Sequence, residues 1–328
     1  VAVVVLSVLT AGFWIGTTAA QGTSATVSPR QRCLALNDLK IPATSIGLPT
    51  NGATVVSATF VTATDAGNTN GEFCKVLGGI HAVDPTAPDI KFEVNLPTRW
   101  NNRTLQMGGG GFDGTLVTGL GGASNQIPTS PTPLALGYVT LGSDSGHETA
   151  GGFDGRFALN AESFANFGRL QIKKTHDAAI VLMQRAYGES PRINYFVGTS
   201  QGGREALTVA QRYPQDYNGI AANVPIVGFS SLMLGPELIR IQEKPSANWV
   251  PPAKVNAIRG EFIRQCDKLD GLADGIINNY MACRAVFDLS QGAADRNPWA
   301  AKRCPNNVDP NPADTTNAAC LTDGQIST

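Results

Sequence analysis

Hydrophobic and polar residues alternate in two stretches near the start of the chain, and this pattern predicts β-strands. Residues 54–62 are rich in β-branched side chains, and Phe92, Val94 and Leu96 alternate with polar neighbours within residues 91–96. Because successive side chains of a strand point to opposite faces, the second stretch is predicted to be a strand with one buried and one exposed face.

The middle of the chain alternates short apolar runs with longer helical patterns. The runs at residues 138–141, 195–197 and 219–224 predict strands, whereas residues 161–187 and 201–212 predict helices. Strands that alternate with helices are typical of a mostly parallel sheet flanked by helices, so the predicted fold class is α/β.

The character of the sequence changes after Pro225. Proline, asparagine, aspartate and cysteine accumulate, and a short helix is predicted at residues 254–269. We therefore divide the chain into an α/β domain at residues 27–226 and the beginning of an inserted or appended domain at residues 227–328.

The start of the chain has the features of a secretory signal. Residues 1–15 carry no charge, and small residues at positions 18–20 suit cleavage before Gln21. Residues 1–20 are thus predicted to be a signal peptide whose basic start is missing. A membrane anchor is the alternative, although the uncharged stretch is weakly apolar for a spanning helix.

The cysteines form an even set, which in an exported protein predicts three disulfide bonds. Their spacing leaves every pairing open. The predicted location is secreted or periplasmic. The cysteines are Cys33, Cys74, Cys266, Cys283, Cys304 and Cys320.

Charge and composition exclude several classes of protein. The chain has 25 lysines and arginines against 26 aspartates and glutamates, and this net charge of -1 gives no attraction to nucleic acid or to an anionic membrane. With 42% hydrophobic and 16% charged residues, the composition fits a globular enzyme rather than a disordered chain. We expect no nucleic-acid partner and, after signal cleavage, no stable membrane association.

The sharpest chemical motif is a Gly-Thr-Ser-Gln-Gly run at residues 198–202, between a predicted strand and a predicted helix. This is the context of a nucleophile elbow, a turn so tight that the positions two before and two after the serine have no room for a side chain. Ser200 is therefore the candidate nucleophile. The alternative is a glycine-rich turn whose serine caps the helix.

A serine nucleophile needs hydrogen-bond donors for the oxyanion that forms on its substrate. Four glycines at residues 108–111 follow a strand-like stretch at residues 103–107. Together with the amide of Gln201, this glycine loop can supply two donors. Taken alone, the glycines could equally form a mobile turn.

No general base for Ser200 is evident. The histidines are His81, His147 and His176, and none follows Ser200, although enzymes with this elbow have the order serine, acid, histidine. We interpret His147 as a structural histidine and place His176 on a helix surface. The catalytic triad is therefore predicted to be incomplete in this chain.

A second polar cluster contains three aspartates broken up by glycines. Aspartate oxygens at this spacing, with nearby backbone carbonyls, can surround a hard cation such as Ca²⁺. The spacing is not that of an EF-hand, and from the residues alone a solvated acidic turn is equally compatible. The candidate ligands are the side chains of Asp267, Asp270 and Asp274 and the carbonyls of Leu272 and Ile276.

At these residues the sequence resembles the tannase and feruloyl esterase family of secreted α/β-hydrolases. The resemblance extends over essentially everything after the leader, and it implies an α/β-hydrolase fold with an inserted lid domain. It is carried by Trp100-Asn101-Asn102-Arg103, residues 108–114, Asp144 with Gly146-His147, residues 195–198 running into 200–205, and residues 266–275.

The resemblance also implies roles for individual residues. Ser200 is the implied nucleophile, with Gly111 and Gln201 as the oxyanion amides. The calcium that it implies is structural, lies in the lid, and has the five ligands named above. The implied disulfide pairs are Cys33 with Cys74, Cys266 with Cys283, and Cys304 with Cys320.

Two departures from the family pattern affect catalysis. Thr199 stands where family members commonly have a cysteine bonded to another beside the catalytic histidine, so that bridge cannot form here. The family's catalytic aspartate and histidine lie beyond the lid, whereas this chain stops at Thr328 as the lid begins. With no initial methionine either, we expect a fragment that is truncated at both ends and inactive as given.

The leading functional hypothesis is an exported serine carboxylic ester hydrolase. It would act on a small-molecule ester of a phenolic or other aromatic acid through an acyl-enzyme on Ser200. A secreted calcium-binding relative without catalytic activity is the alternative from another class. A serine peptidase on the same fold is a third hypothesis, based on analogy alone.

Overall fold

The computed structural model describes residues 27–149, 153–288 and 297–328. The signal peptide predicted at residues 1–20 lies outside them and stays a prediction. The chain divides into two units, of which the first ends at Ile226 and the second begins at Val227. Within the described residues, no helix is both long enough and apolar enough to cross a bilayer.

One sheet of eight strands forms the centre of the first unit. The strands are β1 (Lys40–Ile41), β2 (Ala53–Val61), β3 (Phe73–Ile80), β4 (Ile90–Pro97), β5 (Arg103–Met107), β6 (Val139–Ser143), β7 (Ile193–Thr199) and β8 (Gly219–Asn223). Their order is β1-β2-β3-β4-β6-β5-β7-β8. The pairs from β1 to β6 are antiparallel, whereas β6, β5, β7 and β8 run parallel to one another.

The helices of the first unit are α1 (Pro29–Leu34), α2 (Ala161–Ala165), α3 (Gln171–Tyr187) and α4 (Gln201–Arg212). A π-helical turn, Asn166–Leu170, joins α2 to α3, so the helix predicted at residues 161–187 consists of three segments. Helix α3 ends at Gly188, which adopts a left-handed φ of 81° that glycine accommodates without strain. These connections give the predicted α/β arrangement of strands and helices.

Helix α3 contributes one face to the main hydrophobic core. Leu182 and Met183 lie on that face and belong to the same buried cluster as Val94 of β4 and Leu141 of β6. The buried apolar residues of α3 in this cluster recur at intervals of three to four positions, from Ala178 and Ala179 through Leu182 and Met183 to Ala186, as expected for a helix that packs on a sheet. The core therefore joins the antiparallel and parallel halves of the sheet.

Strand β4 is buried on both faces, so the prediction of one exposed face was wrong. Glu93 and Asn95 are 1% and 0% exposed. The Asn95 side-chain amide donates to the carbonyl of Thr118 at 2.7 Å, and the Lys75 ammonium lies 3.5 Å from the Glu93 carboxylate. These partners come from another loop and a neighbouring strand, so each polar side chain is covered and has at least one partner. Glu93 Oε1 and Asn95 Oδ1 are buried without a hydrogen-bond partner among the described residues.

The prediction that His176 lies on a helix surface was also wrong. His176 is 7% exposed, and its ring centroid lies 5.0 Å from that of Tyr217. Its Nδ1 atom is 3.2 Å from the carboxylate of Asp177. The segment before β8 covers this part of α3, so a polar residue of the helix is enclosed.

Within its described residues, the second unit contains four α-helices joined by loops and short 3₁₀ turns. The helices are α5 (Phe229–Gln242), α6 (Val255–Cys266), α7 (Tyr280–Val286) and α8 (Asp323–Ser327). Phe262, Phe287 and Trp299 pack their rings together, with centroids 4.5–5.6 Å apart. Helix α6 corresponds to the helix predicted at residues 254–269, although it ends three residues earlier.

The three disulfide bonds are those that the family resemblance implies. Cys33–Cys74 ties α1 to β3 in the first unit, Cys266–Cys283 ties α6 to α7, and Cys304–Cys320 closes a loop before α8. Such bonds stabilise a loop-rich unit because they restrict its unfolded chain.

Candidate active site

Ser200 occupies a sharp turn between the end of β7 and the start of α4. Its backbone has φ 60° and ψ -117°, a conformation that non-glycine residues rarely adopt. The Ser200 amide donates to the carbonyl of Asn223 at 3.1 Å, and its carbonyl accepts the amide of Arg204 at 3.1 Å. These bonds to β8 and α4 hold the strained turn, and the Ser200 side chain is exposed.

The glycines of the turn are needed because backbone approaches backbone. A Cβ atom at Gly198 would lie 2.2 Å from the carbonyl oxygen of Gly202, and a Cβ at Gly202 would lie 2.8 Å from the carbonyl oxygen of Gly109. Neither position has room for any side chain. The steric argument made from the sequence for a nucleophile elbow therefore holds in the structure.

The glycine loop, residues 108–111, lies directly against this turn. The Gly108 amide donates to the carbonyl of Val197 at 2.9 Å, and the Gly202 amide donates to the carbonyl of Gly109 at 3.1 Å. The loop thus continues from β5 alongside β7, and Gly111 has a φ of 60°. The structure brings the loop that carries Gly111 next to the turn that carries Ser200 and Gln201.

The side chain of Gln201 is buried and anchors the start of α4. Its side-chain oxygen, Oε1, accepts a hydrogen bond from Nε of Arg204 at 2.8 Å, and Gln201 is 0% exposed. The Arg204 guanidinium also donates to the carbonyls of Phe167 and Gly168, both at 2.9 Å. Arg204 therefore supplies donors to carbonyl groups of the π-helical turn and fixes α4 against it.

Sequence reasoning missed two buried carboxyl groups behind the glycine loop, those of Asp113 and Glu205. They are 3% and 1% exposed. Burial raises the pKa of Glu205 well above its usual range, and the negative charge of Asp113 raises it further. A signal was present, because Glu205 shares the buried face of α4 with Ala206 and Val209, where a charged residue is unusual.

His147 has the contacts of a structural histidine. It is 3% exposed, its ring stacks on Phe157 with centroids 3.8 Å apart, and its Nε2 lies 2.9 Å from the carbonyl oxygen of Phe112. Burial lowers the pKa of His147. This ring therefore supports the segment that follows the glycine loop.

The other two histidines serve elsewhere. His81 bonds to Asp89 and to Thr54, both at 2.8 Å, and His176 lies beside Tyr217 as described above. Across residues 27–149, 153–288 and 297–328, no histidine is hydrogen-bonded to the Ser200 hydroxyl. The described residues therefore do not identify the base, and the incomplete triad stays a prediction.

Asp144 organises the turn after β6. Its Oδ1 atom accepts the amides of Lys91 and Gly146 at 3.0 and 2.8 Å, and the residue is 1% exposed. Burial raises the pKa of Asp144 to about 7, and this effect outweighs the lowering by the two amides. The folded protein therefore keeps the neutral carboxyl of Asp144 up to about pH 7.

The aspartates proposed as calcium ligands line a tightly turned loop. Asp267 accepts the amide of Gly275 at 2.8 Å, Asp270 accepts those of Leu272 and Asn278 at 3.0 and 2.9 Å, and Asp274 accepts that of Ile276 at 3.0 Å. All three side chains therefore fold back on the loop. In the described residues, they do not form a group whose ligand oxygens all lie within 4.8 Å of one another.

A mixed sheet flanked by helices, with a strained serine between a parallel strand and the following helix and a glycine loop against it, defines an α/β-hydrolase fold. The family model for tannase and feruloyl esterase matches residues 74–328. The chain belongs to this family, which confirms the resemblance seen in the sequence.

Curated relatives support the same assignment. The chain is 44% identical over 297 residues to an uncharacterized esterase of Agrobacterium fabrum, covering 90% of this chain and 51% of that protein. It is 31% identical over 248 residues to the mono(2-hydroxyethyl) terephthalate hydrolase of Piscinibacter sakaiensis, covering 69% of this chain and 41% of that protein. The chain thus spans about half the length of these relatives.

Solved structures share the fold. The crystal structure of feruloyl esterase B from Aspergillus oryzae superposes with a TM-score of 0.66 at 24% identity, covering 92% of this chain and 55% of that one. Tannin acyl hydrolase from Aspergillus niger superposes with a TM-score of 0.53 at 21% identity, covering 73% and 45%. At these identities the likeness concerns the fold alone.

Proposed function

We propose that the protein containing this chain is a serine carboxylic ester hydrolase that acts on esters of phenolic or other aromatic acids. The observation that carries the proposal is the exposed Ser200 on its strained turn, with the glycine loop held against it by the bond between Gly202 and Gly109. Relatives named for feruloyl and terephthalate esters support the aromatic acid as the substrate class.

In the proposed reaction, the Ser200 hydroxyl attacks the ester carbonyl while a general base removes its proton. The negative oxygen of the tetrahedral intermediate accepts hydrogen bonds from the amides of Gln201 and Gly111. Loss of the alcohol leaves an acyl-enzyme, which water hydrolyses to the free acid. We assign the base to the downstream histidine of the family, because none of the described histidines bonds to Ser200.

The test compares an ester with the matching amide. Methyl ferulate and ferulic acid anilide are incubated with the purified enzyme that contains this chain, and release of ferulic acid is measured. We expect ferulic acid to be released from the ester, and at least about 100-fold more slowly from the amide. An amide bond is harder to cleave, and an esterase has no groups placed to assist departure of an amine. Comparable rates would favour the peptidase hypothesis.

A binding protein that has lost catalysis is the other outcome of this test. It would bind the aromatic ester without releasing acid, whatever the ester. Equilibrium binding measured alongside turnover therefore separates the two functions.

We also propose that the protein is exported. Three disulfide bonds support an oxidising compartment, and the uncharged residues 1–15 support a secretory signal.

We further propose a structural Ca²⁺ in the loop that follows α6. The loop fits such an ion in its chemistry, because it supplies three carboxylates and two backbone carbonyls as hard oxygen donors. The amides that bond to these carboxylates do not exclude an ion, since each carboxylate oxygen has two lone pairs. Asp267, Asp270 and Asp274 would hold the ion with the carbonyls of Leu272 and Ile276, which requires the three carboxylates to come together.

Removing calcium should lower the melting temperature of the protein. Binding to the folded state alone at 100 times the dissociation constant stabilises by about 2.7 kcal/mol, which corresponds to a loss of about 4 °C on chelation for a cooperative unit of this length. Calorimetry with and without EGTA measures the shift. Asp274→Ala should melt at the chelated temperature and no longer respond to EGTA.

Asp314→Ala is the matched control, because Asp314 is an acidic residue of the same unit that bonds to the amide of Thr316 in a different loop. This variant should respond to EGTA as the wild type does. Unchanged melting on chelation, with no metal found by elemental analysis, would refute the calcium proposal.

A further inference from the structure

Two buried carboxyl groups lie behind the glycine loop, and none of the steps proposed above uses them. Asp113 follows the four glycines, whereas Glu205 lies on α4, little more than one turn after Ser200. Buried charges are costly unless they are paired or protonated. Their contacts show which of the two applies.

Glu205 is bonded to the glycine loop itself. Its Oε2 atom accepts the amide of Gly109 at 3.2 Å, and its Oε1 atom accepts the side-chain amide of Gln171 at 2.9 Å. A Cβ atom at Gly108 would lie 2.7 Å from Oε2, so the carboxyl group fills the space beside the glycines. Glu205 therefore joins the loop to α4.

Asp113 is bonded to the other side of the site. Its Oδ2 atom accepts the Ser145 hydroxyl at 2.5 Å and the side-chain amide of Gln201 at 3.5 Å. Its Oδ1 atom is buried, and among the described residues no conventional donor reaches it. This oxygen lies beside Gly109, where a Cβ atom would be only 2.5 Å away. Gly109, whose amide donates to Glu205, is therefore also in contact with Asp113.

Counting hydrogens supplies the missing donor. The carboxyl groups of Glu205 and Asp113 both lie against Gly109, and two ionised groups there would place one hydrogen-bond acceptor against another. A protonated Glu205 can donate this proton to Oδ1 of Asp113. Its two oxygens can still accept the hydrogen bonds from the Gly109 amide and the Gln171 side-chain amide. All four carboxyl oxygens are then satisfied.

The surrounding charges are compatible with one proton on this pair. Arg204 lowers the pKa of Glu205, but burial and the charge of Asp113 have larger effects and raise that pKa. The Arg204 guanidinium donates to the carbonyls of the π-helical turn. His147 lies on the other side of the loop, and burial lowers its pKa, which favours the uncharged ring. The pair accordingly carries a single negative charge.

We propose that Glu205 and Asp113 share one proton and act together as positioning residues for the oxyanion amides, an inference that rests on the proposed function. Glu205 holds Gly109, two residues before Gly111, and Asp113 holds the side chain of Gln201. The pair therefore fixes both segments that supply the amides, without touching the substrate. Displacement of either amide weakens a contact that is strongest in the transition state.

Two variants of the enzyme separate positioning from general damage. Glu205→Leu keeps the approximate size and the helical propensity of the residue but removes the bond to Gly109 and the shared proton. Asp113→Asn supplies a fixed N–H in place of the shared proton, so an ionised Glu205 keeps all its partners. Asparagine also tolerates the left-handed φ of 52° at this position.

Steady-state kinetics on an aromatic ester should distinguish the variants. We expect Glu205→Leu to lower kcat about 10- to 100-fold with KM changed by less than about threefold, because oxyanion contacts act mainly in the transition state. Asp113→Asn should keep kcat within about threefold of the wild type. Equal impairment of both variants, or near-normal kcat in Glu205→Leu, would overturn the positioning role.

Infrared difference spectroscopy tests the shared proton without requiring turnover. At neutral pH, the wild type minus Asp113→Asn should show the carbonyl band of one protonated carboxyl, since the variant has an ionised Glu205 and the contribution of Asp144 cancels. An absent band overturns the shared proton even if Glu205→Leu does not fold. If the wild type hydrolyses no ester but the band is present, the proposed function fails while the proton-sharing pair stands.

Discussion

Replacing Ser200 by alanine in the protein that contains this chain should lower ester turnover by at least about 10⁴-fold, as loss of the nucleophile does in serine hydrolases. Alanine keeps the Cβ atom and the backbone bonds to Asn223 and Arg204 but has no oxygen to attack the ester. The Ser200 side chain is exposed, so the folded state loses little packing. Release of aromatic acid by purified wild type and variant measures the effect, and their melting temperatures should agree within about 2 °C.

Thr199→Val is the control for this experiment. It removes a neighbouring hydroxyl of similar size, and the Thr199 Oγ1 atom has no hydrogen-bond partner within the described part of the chain. Turnover of this variant should stay within about threefold of the wild type. Near-normal turnover in Ser200→Ala would contradict the assignment of Ser200 as nucleophile. An equal loss of turnover in both variants would show that the substitutions act by disturbing the turn.

The elbow could be predicted from the sequence because its requirement is local. Gly198 is needed because a Cβ atom there would meet the backbone of Gly202, four positions later, and this constraint appears directly in the spacing of the two glycines. The second reason for Gly202, the approach of the Gly109 backbone, is not local and could not be seen in the motif. The parallel half of the sheet could be predicted for a related reason, since alternation of apolar runs and helical patterns is a property of consecutive segments.

The features that the sequence did not predict depend on contacts between distant segments. Thr118 covers the polar face of β4, and Tyr217 covers His176, so both polar surfaces are enclosed by residues far along the chain. The pairing of Asp113 with Glu205 likewise joins a loop to a helix more than 90 positions later. Periodicity records which side chains share a face, but it does not record what lies over that face.

The calcium loop falls between these two cases. Its aspartates and glycines are close together in the sequence, and the structure shows the local turns that they predict. Gathering the three carboxylates around one ion requires charge neutralisation, because unpaired carboxylates repel one another. The spacing therefore predicts the loop and the ligand chemistry, and the proposed Ca²⁺ would supply the attraction that brings the carboxylates together.

Replacing Asp144 by asparagine should make the folded protein less sensitive to rising pH. The folded pKa of about 7 lies above the ordinary value of 3.8, so the folded state retains a proton that the unfolded chain releases. The stability linked to this proton is fully present below the unfolded pKa and is lost as pH rises through the folded one. The difference between the folded and unfolded pKa values of Asp144 corresponds to about 4 kcal/mol in the free energy of unfolding.

The measurement is the free energy of unfolding in urea at about pH 4 and pH 8 for wild type and Asp144→Asn. Asparagine keeps the carbonyl that accepts the amides of Lys91 and Gly146 but cannot ionise. We therefore expect similar stabilities at the lower pH and an advantage for the variant at the higher pH. The difference isolates Asp144 from the other acidic residues, because they are common to both proteins.

Asp177→Asn should show the opposite sign. Burial raises the pKa of Asp177, but hydrogen bonds from His176, Gly47 and Lys173 outweigh it and lower the pKa overall. Its contribution to stability is therefore present above the unfolded pKa and lost as pH falls, so the variant should be less stable than wild type at pH 8 and should approach it in acid.

A difference between wild type and Asp144→Asn that stays constant with pH, or that has the sign expected for Asp177→Asn, would show that Asp144 is ionised in the folded protein. The prediction that the folded protein keeps Asp144 protonated would then be wrong.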